Sequence, residues 1–367
     1  MDMMYIEDCC EILDSMRVPI TASDREEGDY PYYGANGIQD HVADYIFDDE
    51  LVLLAEDGGN FGSKEKPIAY RVSGKCWINN HAHVLKPKIG LDVDYLCYSL
   101  MFYNVDGMVN GATRQKLTQA AMRKMQIPSR SIEDQKHIVD ELNRIVKIKE
   151  QRFLELQLLD KLIKARFVEL FGDPRSNPYG FGKKLLRDTC KVVTGNTPSR
   201  SVEAYYGDYM EWIKTDNIVS GLLNPTKATE SLSEEGMKVG RTVEKGSILM
   251  ACIAGSIASI GRVCVTDRRV AFNQQISAIV PEEYNILFLY VLLQLSKEYL
   301  VEEINMALKG ILSKSKLEEK EFIVPPMELQ EQFADFVHQV DKSKVVVQKA
   351  LDEAQILFDS LMQKYFG

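Results

Sequence analysis

Residues 162–172 read LIKARFVELFG, and the last eleven residues, 357–367, read LFDSLMQKYFG. The first stretch lies in the middle of the chain, yet both stretches finish on the same Phe-Gly pair. Sliding the sequence against itself by 195 residues pairs 111–172 with 306–367 without a gap. A chain that ends twice in this way holds two copies of one unit, so the internal repeat decides the fold.

The repeat continues upstream with changes of register. WINNHAHVLKP (77–87) aligns with AFNQQISAIVP (271–281) at an offset of 194 residues, and IEDCCEIL (6–13) aligns with LRDTCKVV (186–193) at an offset of 180 residues. The difference between the two offsets places 14 additional residues in the second copy between these landmarks. Each copy therefore reads as a variable domain followed by a long helix.

The tail of each copy has helical periodicity, with residues recurring at alternating steps of four and three. The predicted core of a helix pair is Ile138, Leu142, Ile145, Leu156, Leu159 and Ile163 in the first copy, and Phe333, Val337, Val340, Leu351, Ala354 and Phe358 in the second. Lys149 and Lys344 interrupt this stripe at the same register. About 40 residues at 1.5 Å each make a rod of roughly 60 Å that cannot bury its stripe alone. We predict an antiparallel coiled coil, with packing of each helix on its own globular domain as the alternative.

The segments in front of the helices have a different pattern. Short β-rich runs such as YIFDDELVLLAEDGG and RRVAFNQQISAIVP are punctuated by glycine and charge, and DYLCYSLMF is typical of a short amphipathic helix. The sequence predicts an α+β fold (mixed α/β) with a pseudo-twofold internal repeat. Its segments are a globular domain at 1–130, a helix at 131–172, a second globular domain at 173–325 and a second helix at 326–367.

Composition narrows the class of protein. The net charge of −10 argues against a non-specific nucleic-acid coat. The chain has no apolar run approaching ~18 residues, which excludes a membrane-spanning helix. The seven cysteines are scattered without disulfide-like spacing, and the first ten residues, MDMMYIEDCC, lack the basic region of a signal peptide. We therefore expect a cytoplasmic protein with reduced thiols.

Catalytic and metal motifs have little support. NPYG (177–180) superficially resembles the N-P-P-Y stretch of adenine methyltransferases, but turn chemistry explains it better. GSIASIG (255–261) lacks the G-K-[ST] of a phosphate loop. Cys76, His81 and His83 have no evident fourth ligand for zinc. We predict no catalytic residue, no metal and no cofactor.

Polar, donor-rich loops instead recur at equivalent places. Asn79-Asn80-His81 matches Asn273-Gln274-Gln275, and Asn or Gln amides can pair bidentately with adenine edges as Arg does with guanine. The predicted DNA-binding residues are Asn79, Asn80, His81, Arg114, Gln115 and Lys116 in the first copy, and Arg200, Lys214, Thr215, Asn217, Arg262, Asn273, Gln274, Gln275, Lys309, Lys314 and Lys316 in the second. Ordinary surface loops are the alternative for each of them.

Several motifs together resemble the specificity (S) subunits of type I restriction-modification systems. IPSRSIEDQKHIVDEL (127–142) and FIVPPMELQEQFADFV (322–337) resemble that family's Pro-Pro-x-x-x-Gln-x-x-[IF]-[VA] entry to its spacer helices. VVTGNTPSRSVEAYYGDYMEWIKTDNI (192–218) resembles the T-G-x-T-P-S opening of a target-recognition domain and its later W-I-x-x-D-x-I. YPYYGANGI (30–38) resembles another recurrent stretch of such domains. The resemblance covers essentially the whole chain.

The resemblance implies a division of labour. Each target-recognition domain would read one half of a bipartite double-stranded DNA target, and the helices would set the spacing and dock two modification (methyltransferase) subunits, which restriction subunits can join. Methylation and S-adenosylmethionine would belong to the partners, and this chain would be non-catalytic. The first helix entry departs from the pattern at 129–131, where Ser-Arg-Ser replaces the Val-Pro-Pro of 324–326. The alternatives are a coiled-coil adaptor with two ligand-binding domains, and a self-sufficient methyltransferase.

Overall fold

The computed structural model describes residues 2–111, 114–302, 304 and 310–367. Its contacts divide the chain into two units. The first unit contains the chain up to Gln151 together with Ala350–Gly367, and the second unit is Arg152–Lys349. These units differ from the four predicted segments, because each long helix contributes one part to each unit. We call residues 2–130 the first head and residues 173–325 the second head.

The first head is built on a mixed sheet. Its strands are β1 (Met3–Tyr5), β2 (Cys10–Ile12), β3 (Tyr30–Gly34), β4 (Gly37–Val42), β5 (Phe47–Ala55), β6 (Ala69–Ile78), β7 (Ala82–Pro87), β8 (Val109–Asn110), β9 (Lys116–Leu117) and β10 (Gln126–Pro128). The helices of this part are α1 (Ile6–Cys9), α2 (Val93–Met101), α3 (Gln119–Arg123) and the long α4 (Ile132–Phe171). Six strands form one sheet in the order β2-β7-β5-β6-β3-β4, antiparallel except for the parallel β3/β6 pair.

The second head also combines β-strands with short helices, and most of its strands form two sheets. Its strands are β11 (Lys183–Leu185), β12 (Cys190–Thr194), β13 (Tyr206–Gly207), β14 (Met210–Ile213), β15 (Ser231–Leu232), β16 (Thr242–Val243), β17 (Ile248–Ala251), β18 (Ile253–Ala254), β19 (Val263–Val265), β20 (Val270–Phe272), β21 (Ile276–Pro281), β22 (Gly310–Ile311) and β23 (Glu321–Ile323). Its helices are α5 (Leu186–Thr189), α6 (Glu234–Val239), α7 (Ile286–Leu295), α8 (Lys297–Val301) and α9 (Lys314–Glu318), followed by the long α10 (Met327–Phe366). The sheets run β12-β21-β17-β19 and β13-β15-β14-β20-β16, and β14/β20 is parallel.

Backbone pairing shows the repeat directly. In each head the first strand pairs antiparallel with the strand that precedes the long helix, β1 with β10 and β11 with β23. The next residue makes the same bond in both: Ile6 N–H donates to the Met125 carbonyl at 3.0 Å, and Leu186 N–H donates to the Lys320 carbonyl at 2.9 Å. Each head is therefore closed at the root of its own long helix.

In the first unit the two long helices share a core with α2. The buried residues include Tyr95 and Leu96 of α2, Ile138, Leu142 and Ile145 of α4, and Ala354, Phe358 and Leu361 of α10. Tyr365 Oη donates to Glu141 Oε2 at 2.5 Å, while Lys149 Nζ, further along α4, lies 4.8 Å from the Phe358 ring centroid. The order of these contacts makes α4 and α10 antiparallel in this unit.

In the second unit the other parts of the same helices meet α7. The Phe171 ring lies 4.8 Å from Phe288 of α7 and 5.6 Å from Phe333 of α10. Ile163, Val337 and Val340 are buried in the same cluster, and Leu159 is partly buried against it. Lys344 Nζ, later in α10, pairs with Asp160 Oδ1 at 2.8 Å, so the helices are antiparallel here too.

Each core therefore combines residues of both long helices with a head, so contacts between the helices occur together with contacts to a head. Three of the predicted core residues, Leu156, Leu159 and Leu351, are only half-buried, and the other nine are buried. The seven cysteines, all within the described residues, are buried and unbridged. In that part of the chain, no helix has the length and apolar character needed to cross a membrane.

Candidate nucleic-acid interfaces

Both heads bring polar loops to the end of a parallel strand pair. In the first head β3 runs parallel to β6 with Tyr32 opposite Trp77, and in the second head β14 runs parallel to β20 with Trp212 opposite Ala271. The carboxyl ends of parallel strands meet at one edge of a sheet. The stretches 79–81 and 273–275 follow β6 and β20 at that edge. The predicted equivalence of these two loops therefore corresponds to equivalent places in the two heads.

Asn79 and Asn273 are structural residues, contrary to the expectation that they reach DNA. They are 2% and 6% exposed. In each, Oδ1 accepts the backbone N–H two residues later, from His81 at 2.8 Å and from Gln275 at 3.1 Å. The side-chain amides also donate internally, to Gln39 and Gln275. Because these amides are enclosed and satisfied, we remove both residues from the DNA-contacting set.

Asn217 is a third correction. It is 7% exposed, its Oδ1 accepts Lys214 N–H at 2.9 Å, and its Nδ2 donates to Thr226 Oγ1 and the Lys227 carbonyl, both at 3.2 Å. Asn217 therefore shapes the 214–217 turn. Its side-chain amide is enclosed and satisfied within the head, so we remove Asn217 from the DNA-contacting set as well.

Two of the predicted cations of the second head, Arg200 and Lys214, share one carboxylate. Arg200 Nη2 lies 2.7 Å from Glu230 Oε2, and Lys214 Nζ lies 2.5 Å from Glu230 Oε1. The Arg200 guanidinium also lies 4.5 Å and 5.1 Å from the ring centroids of Tyr206 and Trp212. Hydrogen bonds from Lys214 and Arg200 lower the pKa of Glu230, which keeps the carboxylate ionised. These three side chains form a charged, donor-rich and acceptor-bearing edge, which we call the Glu230 cluster.

Other predicted residues of the second head occupy varied positions. Gln274 is exposed and its Oε1 accepts from Thr197 Oγ1, whereas the half-buried Gln275 accepts from Asn273. Arg262 donates to backbone carbonyls at Thr215 (3.2 Å) and Ser259 (3.3 Å). The remaining lysines differ in status: Lys314 is exposed and lies 3.5 Å from Glu318, Lys316 is exposed on α9, and Lys309 lies outside the described residues.

In the first head, Asp57 holds an arginine and a histidine in a comparable way. Arg114 Nη2 and His81 Nδ1 lie 2.6 Å and 2.7 Å from Asp57 Oδ1. The Arg114 side chain is 60% exposed, which leaves most of the guanidinium available. Asn80 and Gln115 are exposed beside it. The predicted polar residues of this head, apart from Asn79, therefore lie on an accessible edge.

A buried charge network lies directly beneath this edge. Asp14, Glu56 and His83 bring one ligand atom each to within 4.8 Å of one another. The same atoms already have partners: Arg17 Nη1 lies 2.6 Å from Glu56 Oε2, and Lys116 Nζ lies 2.9 Å from Glu56 Oε1. These two cations compensate the carboxylates. The cluster is better described as an ion network than as an open metal cradle.

His83 connects this network to the candidate interface. The residue is fully buried, with Nδ1 2.7 Å from Asp14 Oδ2 and Nε2 2.9 Å from the Leu117 carbonyl. Both ring nitrogens of His83 therefore lie within hydrogen-bond distance of oxygen atoms of the first head. Leu117 N–H in turn donates to the Glu56 carbonyl at 2.7 Å. The network thus fixes the short segment that carries Arg114 and Lys116.

Replacing Asp14 by Asn should weaken the first unit. Burial raises the pKa of Asp14, but hydrogen bonds from His83, Gln119 and Val84 N–H outweigh it, so the pKa lies below the usual value. The ionised carboxylate therefore stabilises the fold above an unfolded pKa of about 3.9, and this stability is lost as pH falls through the folded pKa. We expect Asp14→Asn to lower the free energy of unfolding by about 3–5 kcal/mol at pH 7, because it leaves the buried partners of the carboxylate uncompensated.

The measurement is urea denaturation followed by Trp77 fluorescence in a Trp212→Phe background, at several pH values from 7 to below 4. The advantage of the unsubstituted chain over Asp14→Asn should shrink as the pH falls below about 4. Asp24→Asn is the matched control, because Asp24 also accepts side-chain hydrogen bonds in the first head but is exposed. Equal stability of Asp14→Asn and Asp24→Asn at pH 7 would contradict the role given to the network.

Two acidic residues escaped the reasoning from sequence. Asp57 and Glu230 organise the cations of the two edges, but a search for DNA contacts looks for cations and amides. The available signal was the W-I-x-x-D-x-I stretch, whose Trp212 supports Arg200 and Lys214. No local sequence pattern indicates that Glu230 lies beside this stretch, because the pairing of β14 with β15 that brings it there spans a long loop.

Comparison with known proteins also divides the chain into two copies. A family model described as the type I restriction modification DNA specificity domain matches residues 1–158 and again residues 178–354. A putative type I restriction enzyme specificity subunit of Haemophilus influenzae is 36% identical over 140 residues, which is 38% of this chain and 36% of that protein. A type I restriction enzyme specificity subunit of Methanocaldococcus jannaschii is 24% identical over 328 residues, 81% of this chain and 74% of that protein.

The type I restriction enzyme HindI specificity subunit, also of Haemophilus influenzae, is 30% identical over 161 residues, which is 42% of this chain and 34% of that protein. The chain thus spans about a third of the length of these two Haemophilus influenzae relatives. The S subunit of a type I restriction-modification system from M. genitalium has a similar solved structure, with a TM-score of 0.62 at 15% identity, covering 100% of this chain and 96% of that one. A structure solved in work on type I complex assembly and conformational transition gives a TM-score of 0.56, also at 15% identity, covering 100% of this chain and 97% of that one. At these identities the likeness establishes the fold.

Proposed function

Because the chain belongs to the family of type I restriction-modification DNA specificity domains, we propose that its two heads each read one half of a bipartite DNA target. The observation that carries this proposal is the repeated edge. In both heads, polar loops follow the end of a parallel strand pair, with the exposed Arg114 on Asp57 in one head and the exposed Arg200 on Glu230 in the other. Two such edges with different residues suit two different half-sites.

The Glu230 cluster has suitable chemistry for DNA. Arg200 and Lys214 can contact phosphates or the O6 and N7 atoms of guanine, and a carboxylate such as Glu230 can accept from the N4 amine of cytosine. Tyr206 and Trp212 hold the Arg200 guanidinium by stacking, which reduces the freedom it loses on binding. In the first head, Arg114, Lys116, His81, Asn80 and Gln115 take the corresponding role.

The long helices would set the distance between half-sites and dock two modification subunits, with restriction subunits joining in some complexes. Exposed apolar side chains on α4, including Leu154 and Leu158 at 53% each, supply a surface for such a partner. We propose that S-adenosylmethionine and the methylation chemistry belong to those partners, and that this chain has no catalytic role. The heads supply recognition and the helices supply assembly.

Substituting both cations of the Glu230 cluster tests DNA reading. We expect Arg200→Ala combined with Lys214→Ala to weaken binding of the cognate bipartite duplex by roughly 30-fold or more, because each lost charged contact costs about 1–3 kcal/mol. The affinity is measured on the complex with its methyltransferase subunits at fixed salt. Target sites found by methylome sequencing supply the duplex.

Lys184→Ala is the matched control. Its side chain is 49% exposed and pairs with Glu283 at 2.6 Å, so it resembles Arg200 in exposure and pairing but lies on β11 at the root of the helix. Equal affinities for the control and the double variant would overturn the assignment of this edge. Cofactor binding by this chain alone would instead favour the self-sufficient methyltransferase, and indifference to any bipartite duplex would favour the adaptor.

A further inference from the structure

One buried glutamine stands at the root of α4. Gln135 is 1% exposed, and its Oε1 accepts Asp92 N–H at 2.8 Å. Its Nε2 donates to the Gly90 and Arg130 carbonyls, both at 3.0 Å. Asp92 is the N-cap of α2, where its carboxylate accepts two backbone N–H groups. A single amide therefore joins the first turn of α4, the chain just before it and the start of the principal helix of the first head.

The second unit repeats this arrangement. Gln330 is also 1% exposed, its Oε1 accepts Asn285 N–H at 2.9 Å, and its Nε2 donates to the Pro325 carbonyl at 2.9 Å. Asn285 is the N-cap of α7, the counterpart of α2. Both glutamines bond the carbonyl five residues earlier, although the local sequences are Ser-Arg-Ser and Val-Pro-Pro. The same glutamine hydrogen bonds therefore occur in both copies although the residues before the helix differ.

A tyrosine completes each joint from the side of the head. Tyr95 Oη donates to the Pro128 carbonyl at 3.0 Å, and Tyr284 Oη donates to the Ile323 carbonyl at 3.1 Å. These two carbonyls are equivalent in the repeat, but the tyrosines come from different positions, one inside α2 and one just before the N-cap of α7. Two routes to the same contact indicate that the geometry of this junction matters in both copies.

The chemistry requires an amide at this place. The Asp92 and Asn285 N–H groups can only donate, and the carbonyl groups can only accept, so a planar group with one acceptor and one donor end is needed. A glutamate would set a carboxylate oxygen against the carbonyls of Gly90 or Pro325. An apolar side chain of similar size would leave buried backbone groups without partners.

From these contacts we propose that Gln135 and Gln330 are positioning residues that fix the angle between each head and its long helix. The inference rests on the proposed function, in which the complex reads two half-sites at a set spacing. When this angle is fixed, the length of the helices determines the distance between the two DNA-reading heads. A loosened joint lets each head tilt, so that half-sites at neighbouring spacings are accepted as well.

The test uses the full chain assembled with its methyltransferase subunits. Gln330→Met removes all of the amide contacts, whereas Gln330→Glu keeps the size and the acceptor but loses the donor; Gln135→Met and Gln135→Glu test the other joint. Methylation rates are compared on duplexes that keep both half-sites and differ by one base pair in the spacer. The preference of the unsubstituted complex for its natural spacer should fall about tenfold, because small misplacements are costly in rate. Base preferences within each half-site should stay unchanged.

Gln332→Met is the matched control, because Gln332 lies two residues away on α10 and is exposed. Spacer preference as sharp in the Gln330 and Gln135 variants as in this control would overturn the proposal. Failure of both the Met and Glu variants to fold would assign the glutamines to stability alone and overturn it too. If the unsubstituted complex methylates no bipartite duplex, the proposed function itself fails, which is a distinguishable result.

Discussion

Inserting one heptad into each long helix should move the preferred target to a longer spacer. Seven residues added after Gln151 in α4 and after Lys349 in α10 keep the apolar stripe in phase and add about 10 Å of helix at 1.5 Å per residue. At 3.4 Å per base pair, we expect the best spacer to lengthen by about three base pairs. Methylation of a duplex library with graded spacers measures the shift.

The rotation of the DNA between the two half-sites leads to a second expectation. Three base pairs turn B-DNA by roughly a third of a helical turn, whereas a heptad returns the helices almost to their starting orientation. The rate at the new optimum should therefore be lower than that of the unsubstituted complex at its own. The same seven residues appended after Gly367 are the control and should leave the spacer unchanged. If the variant with both heptad insertions assembles and still methylates targets with the original spacer, the long helices do not set the distance between half-sites.

Periodicity predicted the two long helices, for a physical reason. An apolar stripe states which face a helix must bury, and a repeated stripe states that the second helix has the same need. The sequence could not indicate how far the heads share that burial. Leu142 and Phe358 lie in a core that includes α2, and the closing Phe366 packs 5.3 Å from Tyr95 of that helix. The family resemblance and the mixed α+β class are confirmed by the comparisons.

The candidate site was predictable in outline and not in detail. The equivalence of the 79–81 and 273–275 loops followed from aligned sequence alone, but the burial of Asn79 and Asn273 depends on β3 and β14, which are distant in the chain. From the sequence alone, an asparagine whose side chain bonds its own turn cannot be distinguished from one that contacts a DNA base. Side-chain identity thus narrows the chemistry, and tertiary contacts decide which groups remain available to DNA.

Charge substitutions on the exposed faces of the long helices should remove methyltransferase subunits one at a time. Leu162 of α4 and its repeat equivalent Leu357 of α10 are 47% and 51% exposed, although both are large apolar residues. Leu154 and Leu158 extend the first face at intervals of four residues, and Ile356, at 68% exposure, adjoins Leu357. An aspartate at either position would place an unpaired charge in a desolvated contact.

We expect Leu162→Asp, and separately Leu357→Asp, to weaken docking of one subunit by at least about 100-fold, which corresponds to the loss of one central interface residue. Native mass measurement of the purified complex should then show one methyltransferase instead of two with either variant, and none with both. Because both positions face solvent in this chain, its own thermal stability should change little. Gln157→Asp, at another exposed position on α4, controls for added charge and should keep both subunits. Retention of two subunits by the double variant would show that these faces are not where the partners bind.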